Sequence, residues 1–280
     1  MRTTHQLEVA RDDVLWLIPT PGADETLRSV LQRAADLYAR SPEHLWRELH
    51  SEHTEAPGEI DHPSWADLDR LAHVLSVSRT RLARLRLPDG EGQLAAGRRH
   101  AYCPACWRDD DATGRPRHFR RAWAGVFTLS CGRHQTPLFL WHAAPRQHAP
   151  RRGDDISLAE MVWQATAASP QAILSLQALE DVAKVMEACR DDPTRWPADW
   201  LGDAAQARAL LIEVMTIDER TGGLPIASAQ ANARLQTLVH SGPVAAEAGA
   251  TTGWERLRQT RDPAVRRMAL WLVGSWLVPT

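Results

Sequence analysis

The sequence has few cysteines, almost no lysine and no long apolar run. Four cysteines in 280 residues are too few for a disulfide framework in a chain of this length. The longest apolar stretch near the C-terminus, Met268–Pro279, is too short for a membrane helix and contains a glycine and a serine. The start of the chain shows no basic segment followed by an apolar one, which argues against a secretory signal. We therefore expect a cytoplasmic protein without membrane association.

Recognisable catalytic motifs are also missing. The sequence has no Gly-rich phosphate loop, no nucleophile-elbow serine and no His-Glu-x-x-His motif. Three adjacent aspartates, Asp109 to Asp111, are the candidate for a metal-dependent nuclease site, although such a run is more often a solvated turn. A nuclease would cleave DNA with magnesium and lose that activity in Asp110→Asn. We expect no cleavage and no enzyme.

Charge is distributed unevenly along the chain. The totals nearly balance, with 33 basic and 35 acidic residues. Residues 79–152, however, contain 15 arginines and 5 acidic residues, a formal charge of +10, which leaves −12 for the remainder. Lys184 is the sole lysine. Arginine suits bidentate contacts to phosphate, although a GC-rich genome produces the same bias. The clustering favours one surface for a polyanion and others for protein partners.

Hydrophobic spacing predicts a mainly α protein, beginning with several N-terminal helices. Helix signals cover Thr26–Leu37, start again at Ser41-Pro42 and return with a capping box at Ser64. A break at Ser76–Ser78 precedes a short helix over Arg79–Leu87. Two short helices joined in this way are typical of a helix-turn-helix, or of an ordinary helical hairpin with a solvated arginine face. In the first case the second helix would bring four arginines to phosphates or the major groove: Arg79, Arg81, Arg84 and Arg86.

The last third of the chain is also predicted to be helical. Helix starts are indicated at Ser157, Ser169-Pro170 and Asp262-Pro263, after a connection over His142–Asp155. We therefore divide the chain into an N-terminal helix-turn-helix-like part, a small central zinc-ribbon-like module and a helical C-terminal part. Their predicted ranges are 1–97, 98–142 and 143–280.

The central module carries the most specific motif. Cys103-Pro-Ala-Cys106 is followed, after 24 residues, by Cys131-Gly-Arg-His134. Two pairs with a two-residue spacing give the four N and S ligands that tetrahedral zinc prefers, and four protein ligands leave no open position. The sequence thus predicts a structural Zn²⁺ site, with His100 and His118 as alternative fourth ligands.

Other interpretations of the cysteines and of Gly132 can be weighed from the sequence. A redox dithiol is disfavoured because the βαβ setting of thioredoxin-like motifs is absent. Gly132 is expected to supply unusual backbone angles in the second turn. Cys189 is expected to be a small buried apolar residue.

Arginines alternate with aromatic residues around the two cysteine motifs. Such a pattern suits a nucleic-acid backbone with stacked bases, and a solvated surface is the equally supported alternative. Trp123 and its apolar neighbours are expected to form a small core under the zinc. The arginines that we select as nucleic-acid contacts in this module are Arg117, Arg120 and Arg121.

Three segments together resemble the TniQ family of transposition proteins. The first is Pro19-Thr-Pro-Gly-Ala-Asp-Glu-Thr-Leu27 followed by Ser29-Val-Leu-Gln-Arg-Ala34, with Val30 where the family often has Trp. The second is Leu71-Ala72 with Ser76-Val77-Ser78, which stands for the family's Leu-Ala and Thr-Gly-x-Ser. The third is Tyr102-Cys-Pro-Ala-Cys-Trp107, Phe119-Arg-Arg-Ala-Trp123 and Cys131-Gly-Arg-His134, with Gly132 where Pro is usual. The resemblance covers residues 15–142.

The resemblance implies a non-catalytic adaptor that couples target selection to transposase recruitment. Some members associate with CRISPR effector complexes and guide RNA, some with the transposon's AAA+ ATPase, and longer relatives bind a fixed DNA site. The alternative is therefore a direct, sequence-specific DNA-binding target selector. Whether this chain forms a homodimer stays open.

Overall fold

The computed structural model of the chain describes residues 19–50, 58–90, 92–141, 175–221 and 253–278. It is mainly helical, as predicted. The chain divides into two compact units, Met1–Pro88 and Asp89–Thr280. In the described ranges the first unit contains helices α1 (Leu27–Leu37), α2 (Pro42–Glu48), α3 (Trp65–Leu75) and α4 (Arg79–Ala83). The second contains β1 (Ala101–Tyr102), α5 (Pro104–Ala112), β2 (Phe139–Leu140), α6 (Leu176–Asp191), α7 (Ala204–Thr221), α8 (Gly253–Gln259) and α9 (Pro263–Leu277).

None of the helices in these ranges is long and apolar enough to cross a lipid bilayer.

The segment that precedes helix α1 is fixed by hydrogen bonds to the buried carboxylate of Glu25. The Thr26 hydroxyl accepts the Ser29 N–H as N-cap. Glu25, fully buried, accepts hydrogen bonds from the Ser29 hydroxyl, the Gly22 N–H and the Arg33 guanidinium. A buried carboxylate with this many donors is compensated for its lost hydration. The Pro-rich lead is thereby fixed against the first helix.

The pair α3 and α4 follows the predicted pattern at its start and departs from it at its end. The Ser64 hydroxyl accepts the Asp67 N–H and the Asp67 carboxylate accepts the Ser64 N–H, which confirms the capping box. Ser76 ends α3 in the left-handed region, with φ of +50°. The prediction that α4 reaches Leu87 is wrong, because the helix ends at Ala83 and the Leu87 N–H donates to the Asp61 carbonyl.

A core of leucines holds the first unit together. Its buried side chains come from all four helices, so that the short α4 contributes through Leu82 and the turn after it through Leu85. The predicted helix starts at Thr26, Ser41 and Ser64 are confirmed.

The second unit has a helical core and a smaller aromatic core beside a two-stranded sheet. Strands β1 and β2 pair antiparallel, with Ala101 opposite Leu140 and Tyr102 opposite Phe139. The helical core joins α6, α7, α8 and α9 to apolar residues of the 126–129 segment. Cys189 is buried on α6, as expected. The aromatic core includes Trp123 together with the cysteines, as predicted. The prediction that Val126, Phe127 and Leu129 join Trp123 in that core is wrong, because these three side chains pack in the helical core.

Helix α9 brings two fully buried arginines to the central segment of this unit. It begins at Pro263 with the Asp262 carboxylate accepting the Ala264 N–H, which confirms the predicted start. Arg266 Nη1 donates to the carbonyls of Gly125 at 3.0 Å and Val126 at 2.9 Å. Arg267 Nη1 donates to the Leu138 carbonyl at 2.7 Å. Backbone carbonyls on both sides of Cys131 are therefore satisfied from a helix near the C-terminus.

Burial and the neighbouring charge disfavour the ionised form of Arg266. Burial lowers its pKa to about 9, with a further contribution from the Arg267 charge and a partial offset from Asp262.

Some predicted features lie outside the described residues. These are the connection over His142–Asp155 and the helix starts at Ser157 and Ser169. The predicted division at residues 97 and 142 stays a prediction.

Candidate metal centre

The first cysteine pair is presented by the junction between β1 and α5. Cys103 directly follows β1 and is the N-cap residue of α5, and Pro104 occupies the first helical position. The Trp107 N–H donates to the Cys103 carbonyl at 3.2 Å, which closes the first turn and brings Cys106 to the same side. Both cysteines are buried, at 0% and 1% exposure.

The second pair sits in a tight turn closed by backbone hydrogen bonds. The N–H groups of His134 and Gln135 donate to the Cys131 carbonyl at 3.2 and 2.7 Å, and the Cys131 N–H donates to Thr136. The expectation that Gly132 supplies the unusual backbone angles is wrong. Gln135 has the positive φ, +51°, whereas Gly132 does not, and a Cβ at Gly132 would meet nothing within 4 Å.

The four predicted ligands converge on one point. His134 Nδ1 lies 3.6, 3.3 and 3.7 Å from the Sγ atoms of Cys103, Cys106 and Cys131. The Sγ atoms of Cys106 and Cys131 are 3.6 Å apart, and all four ligand atoms lie within 4.8 Å of one another.

The four separations between 3.3 and 3.7 Å are close to those of a tetrahedral zinc site. With Zn–S bonds of about 2.3 Å and Zn–N bonds of about 2.0 Å, ligand atoms are separated by about 3.5 to 3.8 Å. A disulfide needs about 2.05 Å between sulfurs, and all four cysteines of the chain are free. The donor set and its spacing therefore fit a four-coordinate metal ion.

Two polar neighbours support the ligands from outside. His134 Nε2 lies 3.1 Å from Asp109 Oδ2, and the same oxygen accepts from Arg133 at 3.0 Å. With Nδ1 facing the sulfurs, Nε2 is left to donate to Asp109, an arrangement that orients metal-binding histidines in many proteins. The Thr136 hydroxyl lies 3.3 Å from Cys103 Sγ.

The thiols differ in their tendency to ionise. Burial, with smaller contributions from the neighbouring Cys131 and Cys103 and against an opposing contribution from Arg120, raises the pKa of Cys106 to about 12. Burial also raises the pKa of Cys131, but hydrogen bonds from the N–H groups of His134 and Arg133, together with those from the Cys106 and Cys103 thiols, outweigh burial, so that the net shift is downward. A bound cation would supply the positive charge that three adjacent thiolates need.

The alternative ligands and the three aspartates lie outside this cluster. His118 Nδ1 lies 3.5 Å from the buried Asp110, and the His100 ring packs near Phe119 and Trp141. Asp109 contacts His134, Asp110 pairs with Arg120 and Asp111 pairs with Arg117. Among the described residues the three aspartates thus contact different partners and do not share one ion site.

The arginines predicted to contact nucleic acid fall into two groups, one in each unit. In the first unit, Arg79 pairs with Asp69 at 3.0 Å and Arg81 donates to the Pro21 carbonyl at 3.2 Å. Arg84 is exposed and Arg86 is half-buried. The guanidinium carbons of Arg79 and Arg86 lie 5.1 and 5.6 Å from the centre of the Trp65 ring.

In the second unit the selected arginines are held by carboxylates or partly buried. Arg117 forms a bidentate pair with Asp111, which raises the pKa of Arg117 and lowers that of Asp111. Arg120 donates two hydrogen bonds, at 3.1 and 3.0 Å, to the buried Asp110, and its side chain is only 11% exposed. Arg121 lies half-buried in a short 3₁₀ turn.

Sequence reasoning missed the residues that support the site. The sequence groups Asp109 with its two neighbours, as a nuclease or turn residue, because nothing in the linear order links Asp109 to His134. A signal for Arg266 and Arg267 is visible in the sequence, since two adjacent cations interrupt an otherwise apolar helix.

Comparison with protein families gives one match. Residues 16–138 match the family model described as TniQ, which spans both cysteine motifs and the helices of the first unit. The resemblance stated from the sequence is confirmed. Nothing matches this chain among the curated proteins or among the solved structures.

Proposed function

We propose that this chain, whose residues 16–138 belong to the TniQ family, is a non-catalytic adaptor in DNA transposition. Membership of this family implies a role in selecting the transposition target. The adaptor would link a target-recognition complex to the transposition ATPase and transposase. The family match over residues 16–138 is the observation that carries the proposal.

The metal site fits a supporting role in such an adaptor. We propose that Cys103, Cys106, Cys131 and His134 hold a structural Zn²⁺, since their donor atoms lie within 4.8 Å of one another and four of their separations, 3.3 to 3.7 Å, are close to those of a zinc tetrahedron. The ion would tie the start of α5 to the turn at 131–135. With four protein ligands it would have no open position for substrate or water.

Zinc content and thermal unfolding test the metal proposal. Purified protein should contain one zinc per chain, and Cys131→Ser should lose it and destabilise the second unit. Cys189→Ser is the matched control, because Cys189 is buried on α6 away from the cluster. Stoichiometric zinc in Cys131→Ser, or a wild-type chain that stays folded with unchanged melting temperature after chelation, would contradict the proposal.

The partners of the adaptor define two versions of the proposal. One partner would be the AAA+ ATPase of the transposon, and the other a CRISPR effector complex with its guide RNA. A tagged pull-down from the native host, with proteins and nucleic acids identified together, distinguishes the two. Recovery of neither partner under conditions that retain other native complexes would count against the adaptor.

A direct, sequence-specific DNA-binding selector is the second candidate. The exposed arginines of the α4 region, Arg79, Arg81 and Arg84, favour it. Discrimination of one site that persists at physiological salt would support this candidate, whereas binding lost steeply with salt and without discrimination would indicate phosphate contacts only.

A further inference from the structure

One tryptophan of the first unit is exposed although the helix that it begins packs Leu68, Leu71 and Leu75 into the core. Trp65 is the first residue of α3, with 56% of its surface exposed, and it takes no part in the leucine core. The capping box at Ser64 and Asp67 fixes the backbone on both sides of it. The indole is therefore held at the surface by a rigid helix start.

The guanidinium groups of two arginines from the α4 region lie over this indole ring. The guanidinium carbon of Arg79 lies 5.1 Å from the ring centre and that of Arg86 lies 5.6 Å away. Both are within the range of cation–π attraction, which keeps the ring in place and puts two positive charges beside it. We call Trp65, Arg79 and Arg86 the Trp65 cluster.

The net positive charge around the Trp65 cluster favours an anionic partner. Residues 64–88 contain five arginines and two aspartates. Asp67 is turned inward to Ser64 and His50, and Asp69 is exposed and paired with Arg79. An ion pair between two side chains that are each more than half exposed is weak, so a phosphate can replace the carboxylate.

We propose that the Trp65 cluster binds single-stranded nucleic acid, with an unpaired base against the exposed part of the indole and adjacent phosphates on the two guanidiniums. Proteins that bind single-stranded nucleic acid combine an aromatic side chain with nearby cations, because every nucleotide offers both a ring face for stacking and a phosphate. Bases inside a duplex are stacked and cannot reach an indole. Helix α4 has only five residues, which is short for a helix that reads a groove. The proposal does not depend on the adaptor role.

Binding of the full-length chain to short oligonucleotides tests this proposal. Fluorescence anisotropy would compare a labelled oligothymidylate and oligouridylate of about 20 nucleotides with a duplex of equal length. Trp65→Leu should weaken single-strand binding by about tenfold, since stacking on one aromatic ring contributes roughly that much. Trp65→Phe keeps an aromatic face and should lose less.

Two controls separate stacking from charge and from general surface effects. Arg79→Ala should lower the salt dependence of binding by about 0.7 in log–log slope, while Trp65→Leu should leave that slope unchanged. Tyr38→Leu removes another exposed aromatic of the first unit and should not affect binding. Circular dichroism and thermal unfolding would show that each variant is folded.

Several results would overturn the proposal. These are no measurable single-strand binding, equal affinity of wild type and Trp65→Leu, or an equal loss of duplex binding in Trp65→Leu. A folded Trp65→Leu variant that fails to capture a protein partner but binds oligonucleotides normally would assign the cluster to that protein instead. None of these results bears on the zinc site or on recovery of the ATPase.

Discussion

Replacing Asp109 by alanine should weaken zinc binding about tenfold. Asp109 Oδ2 lies 3.1 Å from His134 Nε2 and is positioned to hold the ring with Nδ1 toward the three sulfurs. Without the carboxylate the His134 ring can rotate or adopt the other tautomer. The metal would then bind only the fraction of molecules in which Nδ1 faces the sulfurs without a proton, which lowers the apparent affinity. Carboxylates in this position typically contribute 10- to 100-fold to metal affinity.

The lower end of that range follows from the surroundings of Asp109. Its side chain is 38% exposed, so water can replace it as the acceptor of the Nε2–H. Asp109 also shares its oxygen with the exposed Arg133, whose attraction is screened by solvent. A charge-assisted hydrogen bond contributes about 1.5 to 3 kcal/mol when it is well shielded, and partial exposure reduces this to about 1.4 kcal/mol, or tenfold.

Competition with a chromophoric zinc chelator measures this affinity at constant pH. Asp109→Asn keeps an acceptor without the charge and should fall between wild type and Asp109→Ala. Asp111→Ala is the matched control, since it removes a neighbouring carboxylate that pairs with Arg117 rather than with a ligand. Equal affinities of wild type and Asp109→Ala, or an equal loss in Asp111→Ala, would refute the reasoning.

Three further predictions concern stability and the second turn. Asp67→Asn should destabilise the chain by about 1 kcal/mol at neutral pH, as loss of a cap does. Burial raises the pKa of Asp67, but hydrogen bonds from Ser64 and the nearby His50 outweigh burial, so that the net pKa lies below the usual 3.8. The stabilisation is therefore present above about pH 4 and is lost as the pH falls through that lowered pKa. Denaturant unfolding should show the stabilities of wild type and Asp67→Asn converging as the pH falls below the lowered pKa. Arg267→Ala should cost about 3 kcal/mol or more in thermal unfolding because it leaves a cavity and an unpaired Leu138 carbonyl, and a loss below about 0.5 kcal/mol would contradict this. Gly132→Ala should leave zinc affinity unchanged in the chelator assay, and a marked loss would show that the turn needs glycine.

The features that could be predicted from sequence are those encoded by neighbours in the chain. The helix starts at Thr26, Ser41, Ser64 and Asp262 each depend on residues within one turn, and each is predicted correctly. The metal ligands are recognisable because each half of the site is a short motif with two residues between its ligands. A single contact between the two motifs then completes the set of four. Both kinds of signal are local.

The remaining features depend on contacts between distant residues. Helix α4 ends early because the Leu87 N–H binds the Asp61 carbonyl, a contact that helical periodicity does not contain. The contact between Asp109 and His134 spans 25 residues, and that between Arg266 and Val126 spans 140. The positive φ of Gln135 is not predicted, because the sequence places the unusual backbone angles of this turn at Gly132.

The buried arginines of α9 also bear on the order in which the second unit can be completed during synthesis. Arg267 and the Leu138 carbonyl are separated by 129 residues. At about 5 to 20 residues per second, the ribosome needs on the order of ten seconds to make the intervening chain. During that interval the cysteine motifs have already emerged, while the carbonyls around them still await their donors. The nascent segment must therefore rely on water, chaperones or an early metal ion until the last helix arrives.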